Sequence, residues 1–134
     1  MFIFLDSSFF CAYKNRDDVH HENSVKVMES IANQHHGRPV TTDYIFDETL
    51  TVLMRKANKS VAVDVGDLIL NSEIVFVEID KIVFEAAWKI FQKTKNLSFT
   101  DCTNIAFMKI FGLEKIATFD KGFSGIEGIR VIDR

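Results

Sequence analysis

The sequence predicts an α/β fold, because short runs of strand-forming residues alternate with longer stretches whose apolar residues recur at helical spacing. Three runs carry the reading: FIFL at residues 2–5, IVFVEI at 74–79 and IATF at 116–119. FIFL has no polar alternation, as expected of a strand buried on both faces, and such strands belong to parallel sheets. Strand–helix alternation of this kind builds right-handed βαβ units, so a mainly parallel sheet covered by helices is expected.

After Phe2–Leu5, Ser7 or Ser8 is placed to cap a short helix. Asp17 or Asp18 begins a longer helix with Val25, Val27, Met28 and Ile31 as its apolar positions, and Gly37 ends it. RPVTT reads as the second strand. Thr42 then caps a helix through DYIFDETLTVLMRKA, in which Phe46, Leu50, Leu53, Met54 and Ala57 form one stripe. Ser60–Leu70 reads as a helix and Ile74–Ile79 as a strand, after which Asp80 caps KIVFEAAWKIFQKTK. Beyond the turn at NLS, Thr100 caps DCTNIAFMKIF, which Gly112 closes. Ile116–Phe119 is a strand that ends on Asp120, and Ile129–Ile132 is the last. No repeat or linker divides the chain, so residues 1–134 are read as one domain.

The chain is 47% hydrophobic with thirteen Phe and one Pro, a composition that can fill a core. Its net charge of -3 excludes nucleic-acid binding by bulk electrostatics, while leaving room for a basic rim around an acidic centre. Cys11 and Cys102 form no CxxC and read as small buried hydrophobes in a reducing, cytoplasmic setting. The apolar opening lacks a basic flank and is interrupted by Asp6. No other run approaches the roughly 18 residues of a membrane helix.

Asp6 follows the first strand without an intervening turn residue, and Asp120 follows IATF in the same way. Asp101 opens a helix, and Glu48 lies near the start of another. In an open parallel sheet all four belong to the edge at the carboxyl ends of the strands, where ligands bind. Clustered carboxylates repel unless protons or cations neutralise them. An all-oxygen set suits Mg²⁺ or Mn²⁺. Two such ions about 3.5–4 Å apart can activate a water and stabilise a leaving oxygen in phosphodiester hydrolysis.

Each acid also has a plainer reading. Asp6 suits a helix cap, Asp101 a first-turn acid favoured by the helix dipole, and Asp120 in FDKGF turn chemistry. On the helical wheel Glu48 falls nearly opposite Phe46 and Leu53, a solvated face, with Asp43 and Asp47 as rival acids. Asn104, one turn beyond Asp101, reads either as a contact to metal water or phosphate or as a surface amide. Lys121, Lys14 and Arg16 are candidates for a basic rim that meets nucleic-acid phosphates or ordinary solvated cations. The doublets His20-His21 and His35-His36 lack a carboxylate at the spacing a metal site needs and read as surface or partner contacts. Phe9, Phe10, Tyr13 and the apolar face of VFEAAWKIF exceed what one small core is expected to hold, which suggests a homodimer or partner surface.

FLDSSFF, TTDYIFDETLTVL, LSFTDCTNIAFMK and IATFDKGF, in that order and spacing, resemble the PIN domain, especially the VapC-type toxins of toxin–antitoxin pairs. The resemblance spans nearly the whole chain and implies a three-layer α/β/α sandwich around a mainly parallel sheet. It implies a Mg²⁺- or Mn²⁺-dependent endoribonuclease, a homodimer, and an antitoxin that occludes the site. Position by position, the family's acids fall on Asp6, Glu48, Asp101 and Asp120, its hydroxyl after the first acid on Ser7, and its Thr before the third on Thr100. The second acid varies within the family, which keeps Asp47 open, and the fourth is not always essential.

Two other small α/β families place acids at strand ends. A receiver domain needs an acidic pair at the first strand, and a haloacid-dehalogenase-like phosphatase needs DxD there; FLDSS offers one acid, and Ser8 occupies the second DxD position. The alternatives within the resemblance are a catalytically silent RNA-binding or assembly module, and a housekeeping RNA-processing nuclease without an antitoxin.

Overall fold

Ile3, Phe4 and Leu5 are completely buried, as a strand without alternation requires. Their strand, β1 (Phe2–Leu5), is the centre of the sheet in this computed structural model, which describes residues 1–134. The chain continues through α1 (Ser7–Lys14), α2 (His21–Ala32), β2 (Arg38–Thr42), α3 (Asp43–Lys56), α4 (Lys59–Asn71) and β3 (Val75–Val77). It then forms α5 (Lys81–Lys93), α6 (Phe99–Phe111), β4 (Lys115–Ala117), a 3₁₀ turn over Lys121–Phe123 and β5 (Arg130–Ile132).

The five strands are all parallel in the order β3-β2-β1-β4-β5. Right-handed crossovers from β1 to β2 to β3 carry α1–α4 over one face, and the return to β4 carries α5 and α6 over the other. Helix α1 packs on α2 and α3, α3 on α4, and α5 on α6. The α/β/α architecture expected from the sequence is therefore present. Phe4 meets Phe107 of α6 at a centroid distance of 5.7 Å, one of many contacts in a core that includes Phe9, Phe10 and Phe123.

Several boundaries differ from the expected ones, each for a local reason. Asp6, not Ser7 or Ser8, stands at the N-cap of α1, and its carboxylate makes no capping bond because it is engaged elsewhere. Helix α2 starts at His21, because Asp18 instead holds a turn in which its Oδ1 accepts the His20 N–H at 2.8 Å. Asn58 caps α4. Ser98 rather than Thr100 caps α6: Ser98 Oγ accepts from the Asp101 N–H and Asp101 Oδ2 from the Ser98 N–H, both at 3.1 Å. Strand β4 stops at Ala117, since Thr118 and Phe119 turn their polar groups toward the end of β1.

Gly37 joins α2 to β2 at φ +85°, and a Cβ there would lie 2.5 Å from the Met1 carbonyl oxygen. That residue therefore has no substitute with a side chain. Phe9 and Phe10, expected as surplus apolar surface, are core residues with no exposure, because α1 is covered by its helical neighbours. The other part of the expected surplus, the apolar face of VFEAAWKIF, is present on α5, where Ile82, Phe84, Trp88 and Phe91 remain exposed.

Candidate active site

The strand register builds the site. Leu5 of β1 pairs with Ala117 of β4, so the next residue of each chain segment, Asp6 and Thr118, emerge side by side at the carboxyl edge. The Asp6 N–H donates to the Ala117 carbonyl at 3.1 Å, extending the ladder by one step. Asp6 is then pinned on both carboxylate oxygens: Oδ2 accepts from Thr118 Oγ1 at 2.6 Å and Ser8 Oγ at 3.2 Å, and Oδ1 from Asn104 Nδ2 at 3.2 Å.

Helix α6 brings two residues from the other face of the sheet. Asp101 is tied to Ser98 by the reciprocal cap described above. Asn104, one turn later, is fully buried, which excludes the surface-amide reading. Its Nδ2 orients Asp6, and its Oδ1 has no hydrogen-bond partner although buried. Helix α3 brings Glu48, whose Oε1 accepts a short hydrogen bond from Ser7 Oγ. The helical wheel placed Glu48 on a solvated face; it is half-buried, because α1 packs against that side of α3.

The rival acids are elsewhere. Asp43 Oδ1 accepts the N–H groups of Tyr44 and Ile79 at 3.0 and 2.9 Å and so clamps the start of α3 to the end of β3. Asp47 is exposed and makes no side-chain hydrogen bond or ion pair. Asp120 is exposed at the rim, its Oδ1 accepting the Gly122 N–H at 2.8 Å and its own N–H donating to Thr118 Oγ1 at 3.0 Å. Thr100 offers only its carbonyl, to Thr103 Oγ1 at 2.6 Å.

The acids repel one another. Burial raises the Asp6 pKa to about 6; the Thr118 hydroxyl and the Ser7 N–H oppose that shift, while the Asp101 and Glu48 charges add to it. Burial likewise raises Asp101, with Asp120 and Glu48 contributing in the same direction. The protein's two ion pairs, Lys81–Glu85 and Asp133–Arg134, lie away from these acids, so no lysine or arginine forms an ion pair with them. No three His, Cys, Asp or Glu side chains are grouped tightly enough to hold a metal ion by themselves.

Of the expected basic rim, Lys14, Arg16 and Lys121 are all exposed, and Lys14 sits over its own neighbour, the Tyr13 ring, at 5.6 Å. None of the three lines the cleft of about 360 Å³ that opens beside Ser7, Ser8 and Asp120. The cation in that cleft is Lys56, which the sequence reading passed over. The reading also missed Thr118 and Ser8. The signal for Thr118 was available as a hydroxyl at the end of a strand adjacent to β1; Lys56 had none, being one basic residue among several at a helix end. A larger hollow of about 840 Å³ lies at the opposite edge of the sheet around Met1, Pro39 and Ile74, away from all four acids.

The family model described as "PIN domain" matches residues 3–129. The chain is 26% identical to the 23S rRNA-specific endonuclease VapC20 of Mycobacterium tuberculosis, with 96% of this chain and 97% of the relative covered. It is 29% identical to a VapC ribonuclease of Archaeoglobus fulgidus over 90% of this chain and 78% of the relative. The crystal structure of M. tuberculosis VapC20, a sarcin-ricin loop cleaving toxin, superposes with a TM-score of 0.83 over 96% of this chain and 98% of that one, at 26% identity. At 12% identity, VapBC2 from Rickettsia felis, bound to a DNA fragment from its promoter, shares the fold with a TM-score of 0.71 over 98% and 97% of the two chains.

Proposed function

The chain belongs to the PIN domain family, and from that membership we propose that it is an endoribonuclease that hydrolyses RNA phosphodiester bonds with Mg²⁺ or Mn²⁺, the toxin of a VapBC-type pair. The observation that carries the reading is the meeting of Asp6, Glu48, Asp101 and Asp120, from four separate segments, at one sheet edge with no basic partner. The likeness to VapC20 and to the archaeal VapC ribonuclease supports the choice of RNA as substrate, and the description of VapC20 as a toxin supports an antitoxin as partner. The exposed α5 surface of Ile82, Phe84, Trp88 and Phe91 supports self-association into a homodimer. The two buried free thiols suit a reducing cytoplasm.

The residues fit a hard divalent cation. Their donors are carboxylate oxygens, and their mutual repulsion calls for positive charge. Asp6, Glu48 and Asp101 would hold it, with Asp120 at the rim assisting a second ion or orienting the attacking water. When bound, the ion supplies Lewis-acid polarisation of the phosphate and acidifies a water. Thr118, Ser8 and Asn104 keep the Asp6 carboxylate in one orientation, so both of its oxygens are set before the substrate arrives. Ser7 does the same for Glu48 and Ser98 for Asp101.

The test is cleavage of a mixed single-stranded RNA pool by purified protein freed of antitoxin, with Mg²⁺ or Mn²⁺ against EDTA. Cleavage should require the metal and vanish in Asp6→Asn and Asp101→Asn. A folded, antitoxin-free protein that leaves RNA intact in both metals would reject the enzyme in favour of a silent binding module.

A further inference from the structure

The cleft beside the acids has a wall that hydrolysis itself does not use. His20 and Phe119 stack there face to face, with ring centroids 4.5 Å apart and planes only 2° from parallel. His20 is exposed and lines the cleft, with Phe119 backing one face of its ring to form a two-ring slab. The slab is braced from both ends. Asn15 Oδ1 accepts the Asp17 N–H at 3.2 Å and Asp18 Oδ1 the His20 N–H at 2.8 Å, while Ser8 Oγ accepts the Phe119 N–H at 3.0 Å. The same Ser8 hydroxyl bonds Asp6, so the slab and the central acid share a support.

Lys56, in the last turn of α3, lines the same cleft and takes part in neither ion pair. A flat π surface, an unpaired ammonium and a cleft of about 360 Å³ are what a single nucleotide requires, and that volume lies at the small end of ligand sites.

We propose that this cleft is a subsite for the nucleotide next to the scissile phosphate of single-stranded RNA, its base stacking on His20 backed by Phe119 and a backbone phosphate meeting Lys56. The proposal rests on the ribonuclease reading and adds to it a place where the substrate is held. Stacking tolerates any base, so the subsite contributes affinity and register, not a choice of sequence. Single-stranded RNA is required because a base paired in a duplex has no free face to offer.

Steady-state cleavage of the single-stranded pool tests this. His20→Ala should raise KM about tenfold with kcat within about twofold and the melting temperature unchanged, since the ring is exposed and caps nothing. His20→Phe should restore KM, because stacking needs a flat ring and not an imidazole. Lys56→Gln should raise KM and lower the slope of log KM against log salt by about 0.7, the value of one single-strand phosphate contact. Normal cleavage with unchanged KM in His20→Ala overturns the subsite and leaves the nuclease intact. A loss confined to kcat or to thermal stability, unrescued by Phe, overturns it too and makes the stack a structural brace. A wild type that cleaves no RNA removes the nuclease and the subsite together.

Discussion

Thr118 Oγ1 donates to Asp6 Oδ2 at 2.6 Å, linking the ends of two adjacent strands through the buried carboxylate. The bond favours the ionised form of Asp6 against burial. Thr118→Val keeps the shape and removes the donor. The Asp6 pKa should then rise further, so the acid limb of kcat/KM against pH should move upward and neutral-pH cleavage fall about tenfold. Stability should drop by about 1–2 kcal/mol, read from urea unfolding, because a buried acceptor loses its strongest donor.

The raised Asp6 pKa also sets a stability trend for the metal-free protein. Below the unfolded value of 3.8 both states are protonated and Asp6 contributes no penalty. As pH rises through the folded value of about 6, the folded state must carry a buried charge, and stability falls. The span amounts to about 3 kcal/mol, with Asp101 adding in the same direction. In EDTA, Asp6→Asn should therefore be more stable than wild type near neutral pH and lose that advantage toward pH 4. Adding Mn²⁺ at neutral pH should raise the wild-type melting temperature and leave that of Asp6→Asn unchanged. Equal pH trends in the two proteins, measured by urea titration, would contradict the assignment.

The fold was legible because its central strand is buried on both faces and therefore stands out as the unbroken apolar run FIFL, with shorter apolar runs marking its neighbours. The convergence of the acids was legible for the same reason, since the edge on which parallel strands end is a consequence of topology. What escaped depended on neighbours. The wheel drew the apolar stripe of α3 through Phe46, Leu50, Leu53, Met54 and Ala57, whereas the buried face runs through Ile45, Thr49 and Leu53 and leaves Met54 exposed. It gave no sign that α1 lies against the helix, so Glu48 was read as solvated. Thr100 and Ser98 are equally good caps by type, and only the reciprocal bond to Asp101 selects Ser98. Phe9 and Phe10 were read as surplus because a helix as short as α1 gives no sign of being covered on several sides.

The Ser98–Asp101 box makes a separate prediction, because it couples helix stability to the site. Ser98→Ala should destabilise the protein by about 1 kcal/mol through loss of the cap. Asp101 should also lose part of its tether, so cleavage should fall several-fold, whereas Ser98→Thr should retain both properties. A melting shift without any change in cleavage would show that the cap serves the helix alone.

Glu48 and Asp47 are adjacent, both acidic and both at the start of α3, so substituting each in turn gives a controlled comparison. Glu48 takes the Ser7 hydroxyl bond and adds its charge to the fields at Asp6 and Asp101. Asp47 is exposed and makes neither a side-chain hydrogen bond nor an ion pair. Glu48→Gln keeps the size and the Ser7 contact and removes the charge, so it should reduce cleavage by about a hundredfold or more and weaken Mn²⁺ binding by about tenfold. Asp47→Asn should leave both within about twofold, as surface changes usually do. Calorimetric titration of Mn²⁺ beside the cleavage assay separates the two outcomes. If Asp47→Asn, and not Glu48→Gln, lost the metal, α3 would have to turn by about 100° in the working state to bring the neighbouring residue inward.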